Sequence, residues 1–185
     1  MPKPLLETFI EAGLLQFGLF GEEESPIRMN LHLLPAYPDI LAQIAETALH
    51  HIDHNHIERL VCDAKSLPFG VATSLRSGIP LVYSLGSDQP GVFDLVGAYD
   101  VGHPTLLLTN TWRGNADGVA LIKKARAVGL NINTVLTVFD YGKRSTDSLE
   151  VRALLRLADI IPQLVESGEL PPGQAQAIAQ WLGGD

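Results

Sequence analysis

The sequence predicts an α/β fold with a mainly parallel sheet flanked by helices, on three observations. Short apolar runs bounded by turn residues alternate with stretches of helical period. The order strand, helix, strand occurs at 57–84 and again at 105–139, and such units need crossovers that bring their strands parallel. With 46% apolar residues in a chain of 185, the composition is that of one packed domain, 1–185, with a sizeable core.

The elements follow in order. Leu5, Leu6, Phe9, Ile10 and Leu14 have helical spacing, predicting a helix over 5–15 that ends near Gly18. Pro26 to Leu34 reads as a short extended segment. Pro38 opens a second helix whose buried stripe is Ile40/Leu41, Ile44/Ala45 and Ala48/Leu49. His50 to His56 is a polar break. Ile57 to Cys62 is a strand, and Pro68 to Ser77 a helix closed by Gly78. Ile79 to Ser84 is the next strand, and Ser84 to Gly91 a loop. Val92 to Tyr99 alternates as a strand, and Asp100 to Pro104 turns. Thr105 to Thr109 is a strand followed by a helix over 115–128, with Leu121, Ile122, Ala125 and Val128 on its apolar face. Thr134 to Phe139 is a further strand. Beyond Arg152 the pattern fits either one helix or a strand followed by a helix. Pro171 opens a last helix, with Ala175, Ile178, Ala179 and Leu182 on one side.

Composition removes several classes of function. There are 13 basic and 21 acidic residues, a formal charge of −8. Such a surface repels nucleic acid backbones, and no basic patch offsets it. No apolar run has the length of a membrane span, and the N-terminus lacks the apolar centre of a signal peptide. Cys62 is the single cysteine, which excludes an intrachain disulfide and fits a reducing, cytoplasmic compartment. In a buried strand it reads as a structural thiol rather than a nucleophile. His50 and His54 have the i, i+4 spacing of a metal pair, but the helix ends there and no further ligand completes a set, so the run reads as a solvated loop.

The segment most able to carry chemistry is Thr105-Leu106-Leu107-Leu108-Thr109-Asn110-Thr111-Trp112-Arg113-Gly114-Asn115. A strand, a tight loop and a helix N-terminus present backbone N–H groups to an anion. Arg113 adds a bidentate fork, Asn115 is the expected N-cap, and Asp117 falls in the first turn. The alternative is an ordinary crossover with an arginine facing solvent.

Several segments, in order, resemble orotate phosphoribosyltransferases. They are Phe9-Ile10-Glu11, Gly18-Leu19-Phe20, Ser25-Pro26-Ile27-Arg28-Met29-Asn30, Leu60 to Thr73, Ser77 to Tyr83, Leu95-Val96-Gly97, and Phe139-Asp140-Tyr141-Gly142. The resemblance covers most of the chain. It implies a type I phosphoribosyltransferase fold with a small N-terminal hood, a homodimer, and a ligand pocket at the carboxyl ends of the strands. Its candidate lining is Ala64, Lys65, Ser66, Thr109, Asn110, Thr111, Arg113, Gly114, Asn115 and Asp140. Trp112, Phe93 and Tyr99 are offered as apolar contact area for the dimer.

The departures from that family are as informative. Where it carries two carboxylates that hold ribose hydroxyls near magnesium, this chain has Thr109 and Asn110. Its Thr-x-Gly-Thr cradle is replaced by Arg113-Gly114-Asn115-Ala116. From Leu81 to Val101 the sequence has no Lys, Arg or His but has Asp88, Asp94 and Asp100, where the family carries cations for a departing pyrophosphate. Glu22-Glu23-Glu24 stands where a lysine segment helps bind the anionic base, and Tyr141 stands in place of a base-binding arginine, with Lys143 or Arg144 as displaced substitutes. The expectation is a protein without catalytic residues or cofactor that retains at most phosphate or nucleotide binding in a regulatory role. Two alternatives stand beside it. One is an active orotate phosphoribosyltransferase of pyrimidine biosynthesis, requiring magnesium, with Lys65 or Arg113 replacing lost charge. The other is a structural partner with no small ligand.

Overall fold

The computed structural model describes residues 4–20, 25–86, 94–114, 116–142 and 149–183. Glu22 to Glu24, Asp88, Phe93, Asn115, Lys143, Arg144 and the side chain of Asp117, all singled out above, lie outside what is described. The chain runs α1 (Leu5–Glu11), β1 (Leu15–Phe20), β2 (Ser25–Met29), a 3-10 turn (Leu31–Ala36), α2 (Pro38–Leu49), β3 (Arg59–Cys62) and α3 (Leu67–Ser77). It continues with β4 (Leu81–Ser84), β5 (Leu95–Val96), β6 (Pro104–Trp112), α4 (Ala116–Ala127), β7 (Asn131–Asp140), β8 (Glu150–Arg156), α5 (Leu157–Glu166) and α6 (Pro172–Gly183).

The central sheet has the order β5-β4-β3-β6-β7-β8. From β4 to β8 every neighbouring pair is parallel, and only β5, folded back on β4 through Tyr83↔Val96, is antiparallel. The expected α/β class with helices flanking a mainly parallel sheet is therefore present. The first crossover places β4 on one side of β3, whereas β6 lies on the other. This reversal of direction opens a crevice between the carboxyl ends of β3 and β6. A separate antiparallel ribbon, β1-β2, forms the N-terminal hood.

The continuous apolar runs follow from burial on both faces of the sheet. Leu106 and Leu108 belong to one core cluster and Leu107 to another, and Leu60 and Cys62 part from Val61 in the same way. Successive side chains point to opposite faces, so each run must be apolar at every position. The α2 stripe faces the first cluster through Ile40, Ile44 and Ala48, and α4 faces the second through Leu121, Ile122 and Ala125, as their spacing predicts. No described helix is long and apolar enough to cross a membrane.

The structure differs from the sequence expectation at several boundaries. The first helix stops at Glu11, because Gly13 turns into the left-handed region at φ 67° and Leu15 begins β1. The segment from Pro26 is extended only to Met29 and then tightens into the 3-10 turn. Within 92–99 the described strand is Leu95–Val96. β6 runs three residues past Thr109 to Trp112, held by Thr111↔Phe139 and Trp112↔Asp140 pairing with β7. After residue 149 the strand-then-helix alternative holds, and in the last helix Ala179 is exposed while Ile178 is buried.

Candidate functional site

The β3–α3 connection, Asp63 to Ser66, is folded by its own polar groups. The Ser66 N–H donates to Asp63 Oδ1 at 2.7 Å, an Asx-type turn. Ser66 precedes α3 at its N-cap position yet makes no cap bond there. Its Oγ instead accepts the N–H of Asn110 across the crevice at 2.9 Å, and the Asn110 side-chain Nδ2 donates to the Lys65 carbonyl at 2.9 Å. These two bonds tie the end of β6 to the loop after β3 and fix the floor of the crevice.

Two adjoining cavities lie above that floor. The first, about 290 Å³, is lined by Asp63, Lys65, Ser66, Thr109, Asn110, Thr111 and Gly118 from the sheet side, and by Met29, Leu31 and His32 from the hood side. The second, about 470 Å³, is lined by Phe20, Ser25, Ile27, Arg28 and Met29 of the hood with Thr111, Arg113 and Tyr141 of the core. Met29 and Thr111 are common to both.

Of the residues nominated from sequence, Lys65, Ser66, Thr109, Asn110 and Thr111 meet in the first cavity. Some of their polar groups are already engaged: the Thr109 hydroxyl donates to the Thr111 carbonyl at 3.2 Å, and Ser66 is almost fully buried. Arg113 is elsewhere. Its guanidinium lies over the Tyr141 ring at 4.2 Å and the Trp181 ring at 5.2 Å, so it lines the second cavity rather than the crevice floor. Asp140 lines neither described cavity. Its Oδ1 accepts the Gly142 N–H at 2.8 Å, and Arg156 Nε lies 3.2 Å from its Oδ2, which makes it a structural anchor at the end of β7. Ala64 faces a shallow apolar depression beside Leu67 and Val71. Gly114 turns the chain at φ 65° and lines neither cavity. Trp112 is 1% exposed and packs in the core, so it contributes nothing to a surface interface.

Arg28 and His32 were missed. Arg28 sits on the resembling segment, 4.4 Å over the Phe20 ring, and a lone charged residue after the apolar Pro26-Ile27 pair was the available signal. His32 follows it in the turn and had no such signal.

The chemistry of the lining is one-sided. Lys65 lines the first cavity and Arg28 and Arg113 the second, whereas Asp63, in the first, is the one carboxylate among the lining residues described. A magnesium-held ribose needs hard carboxylate oxygens. The donors at the carboxyl end of β6 are a threonine hydroxyl bonded within its own strand and a neutral amide held by Lys65, so the described residues at that strand end do not fit that ion. Cys62, under the floor, is fully buried; burial first, and the Asp63 charge second, push its thiol up to about 12, which opposes thiolate formation.

Comparison with known proteins gives the following. No family model matches the chain. It is 24% identical over 163 residues to the orotate phosphoribosyltransferase of Archaeoglobus fulgidus, covering 85% of this chain and 90% of that one. It is also 24% identical over 176 residues to the hypoxanthine/guanine phosphoribosyltransferase of Methanosalsum zhilinae, covering 85% and 91%. Among solved structures it superposes on UMP synthase of Leishmania donovani with a TM-score of 0.84 at 20% identity, covering 98% of this chain and spanning 42% of that one. The chain thus has the type I phosphoribosyltransferase fold, and its sequence is similar to an orotate and to a hypoxanthine/guanine phosphoribosyltransferase.

Proposed function

We propose that this chain is a binding protein on the phosphoribosyltransferase fold, which holds a phosphate-bearing small molecule at the carboxyl ends of β3 and β6 without magnesium and does not transfer phosphoribosyl groups. The observation that carries the reading is the excess of cations around the crevice in a chain whose net charge is −8. An active transferase of the resembled kind needs carboxylates for a metal-bound ribose and cations on a loop for the leaving pyrophosphate. Here Thr109 and Asn110 occupy the first position, and 81–101 carries only acidic charge. Lys65, with no partner on its ammonium group among the described residues, and the Thr111 hydroxyl are the groups that meet the phosphate.

A second reading, an active orotate phosphoribosyltransferase, is favoured by the near full-length likeness to the Archaeoglobus enzyme. One pair of measurements separates the two. Orotate absorbance is followed with phosphoribosyl pyrophosphate and magnesium, and ribose 5-phosphate binding is measured by calorimetry. The expected outcome is no turnover, with binding that weakens as salt rises and is indifferent to magnesium. Robust magnesium-dependent turnover establishes the second reading. No turnover and no binding at millimolar ligand leaves the crevice vestigial.

A further inference from the structure

We propose that the outer face of α3 docks on the same face of a second copy of this chain, the two helices antiparallel about a two-fold axis at Val71. A helix laid on a sheet normally turns polar residues to water. The inner side of α3 is buried at Phe69, Gly70 and Thr73, yet its outer side carries Leu67, Val71 and Leu75 at i, i+4 and i+8. Val71 is 43% and Leu75 80% exposed. With Leu41 of α2 they border a depression of about 480 Å³ whose described lining is apolar throughout. Single apolar residues on a surface need no explanation, but a contiguous row beside a hollow marks an interaction site.

Charge narrows the occupant. With a net charge of −8, two copies of the chain repel one another over most of their surface. α3 has no acidic residue, and its single cation, Arg76, lies 3.8 Å from Glu46 of α2. A second copy therefore meets no uncompensated like charge on this face, and a strongly charged partner finds nothing complementary to it.

The row is also its own complement. Leu67, Val71 and Leu75 read alike in both directions about Val71, so antiparallel pairing sets Leu67 against Leu75 of the other copy and Val71 against itself. A face that meets itself closes as a pair. The neighbouring row, Pro68 and Ala72, carries little side chain, and leaves a groove that receives the other copy's ridge. Contact through one helix and its neighbour is at the small end of specific interfaces, which points to association in the micromolar range. The depression shares no described lining residue with either cavity of the candidate site, so the docking stands apart from the phosphate reading.

Sedimentation velocity on the full chain, from about 1 to about 100 µM, tests this. The wild type passes from monomer to dimer over that range. The dimer holds or tightens as salt rises, because screening removes repulsion and leaves apolar contact in place. Leu75→Glu changes an exposed position and keeps the native circular dichroism, but weakens the dimer by about tenfold or more, since two carboxylates then enter one apolar contact. Val71→Cys puts a thiol on the two-fold axis, and a short bismaleimide links two copies through it; the natural Cys62 is buried and does not compete. Lys123→Cys, exposed on α4, is the control and stays unlinked. A wild type that is monomeric throughout overturns the proposal, whether the face is bare or belongs to a different protein. A dimer that survives Leu75→Glu overturns it by placing the interface elsewhere. A Val71→Cys dimer that does not link overturns the antiparallel two-fold.

Discussion

Gly118 shows how closely single residues define the crevice. A Cβ built there would stand 2.6 Å from Trp112 Cζ3, inside the contact distance of any real pair of carbons. Trp112 is locked in the core at the end of β6, and Gly118 faces it from α4 while lining the first cavity. The absence of a side chain is what lets α4 approach the strand. Gly118→Ala is expected to destabilise the fold by roughly 1–3 kcal/mol, the usual range for overpacking a filled site. The urea midpoint should fall with an unchanged slope; an unshifted midpoint would show that the indole swings aside without cost. Asn110 and Ser66 show the converse. Their types suggested ligand contacts, yet the Asn110 N–H and Nδ2 and the Ser66 Oγ bind the protein itself. Residue type identified polar groups at the right place, but their partners are set by a loop and a strand end 44 residues apart in sequence.

Among the elements, α6 has the most consequence for the site. Its Trp181 lies edge-on to Tyr141 at 6.2 Å and beneath Arg113, so the last helix holds the arginine from behind without lining either cavity. Trp181→Ala should destabilise the fold by about 1–3 kcal/mol, since it removes a half-buried ring that packs on Tyr141 and Arg113. Trp181→Phe keeps a ring there and should restore most of the loss. If the alanine and phenylalanine variants have the same urea midpoint, the ring contacts contribute nothing to stability. The sequence announced α6 by Pro171 and its apolar spacing, but its stripe named Ile178 and its neighbours, not the tryptophan. Periodicity reports which face is buried and is silent on which side chain reaches across to another loop.

At the scale of the whole molecule, acidic charge and a cationic crevice stand together. The net charge of −8 slows the approach of anions, so ligand association should quicken as modest salt screens the surface even while equilibrium affinity falls. The resemblance also implies a homodimer. Of the three aromatic residues offered as its contact area, Trp112 is in the core and Phe93 lies outside the described residues, leaving the partly buried Tyr99. The expected outcome of sedimentation at tens of micromolar is still a dimer; a species that is only monomeric there would remove that expectation.

What the sequence determined by itself was the α/β class, the parallel crossovers, and which runs lie buried on both faces. Those properties follow from local periodicity and from turn residues, each of which acts within a few positions of itself. It also placed Lys65, Ser66 and Thr109 to Thr111 at strand ends, where open sheets bind ligands. It did not show that Arg113 lies against Tyr141 and Trp181 rather than at the crevice floor, that Asp140 is held by Arg156, or that Arg28 of the hood and Arg113 line one cavity. Those pairings join segments distant along the chain, and only the packing of the hood, the sheet and α6 brings them within reach of one another.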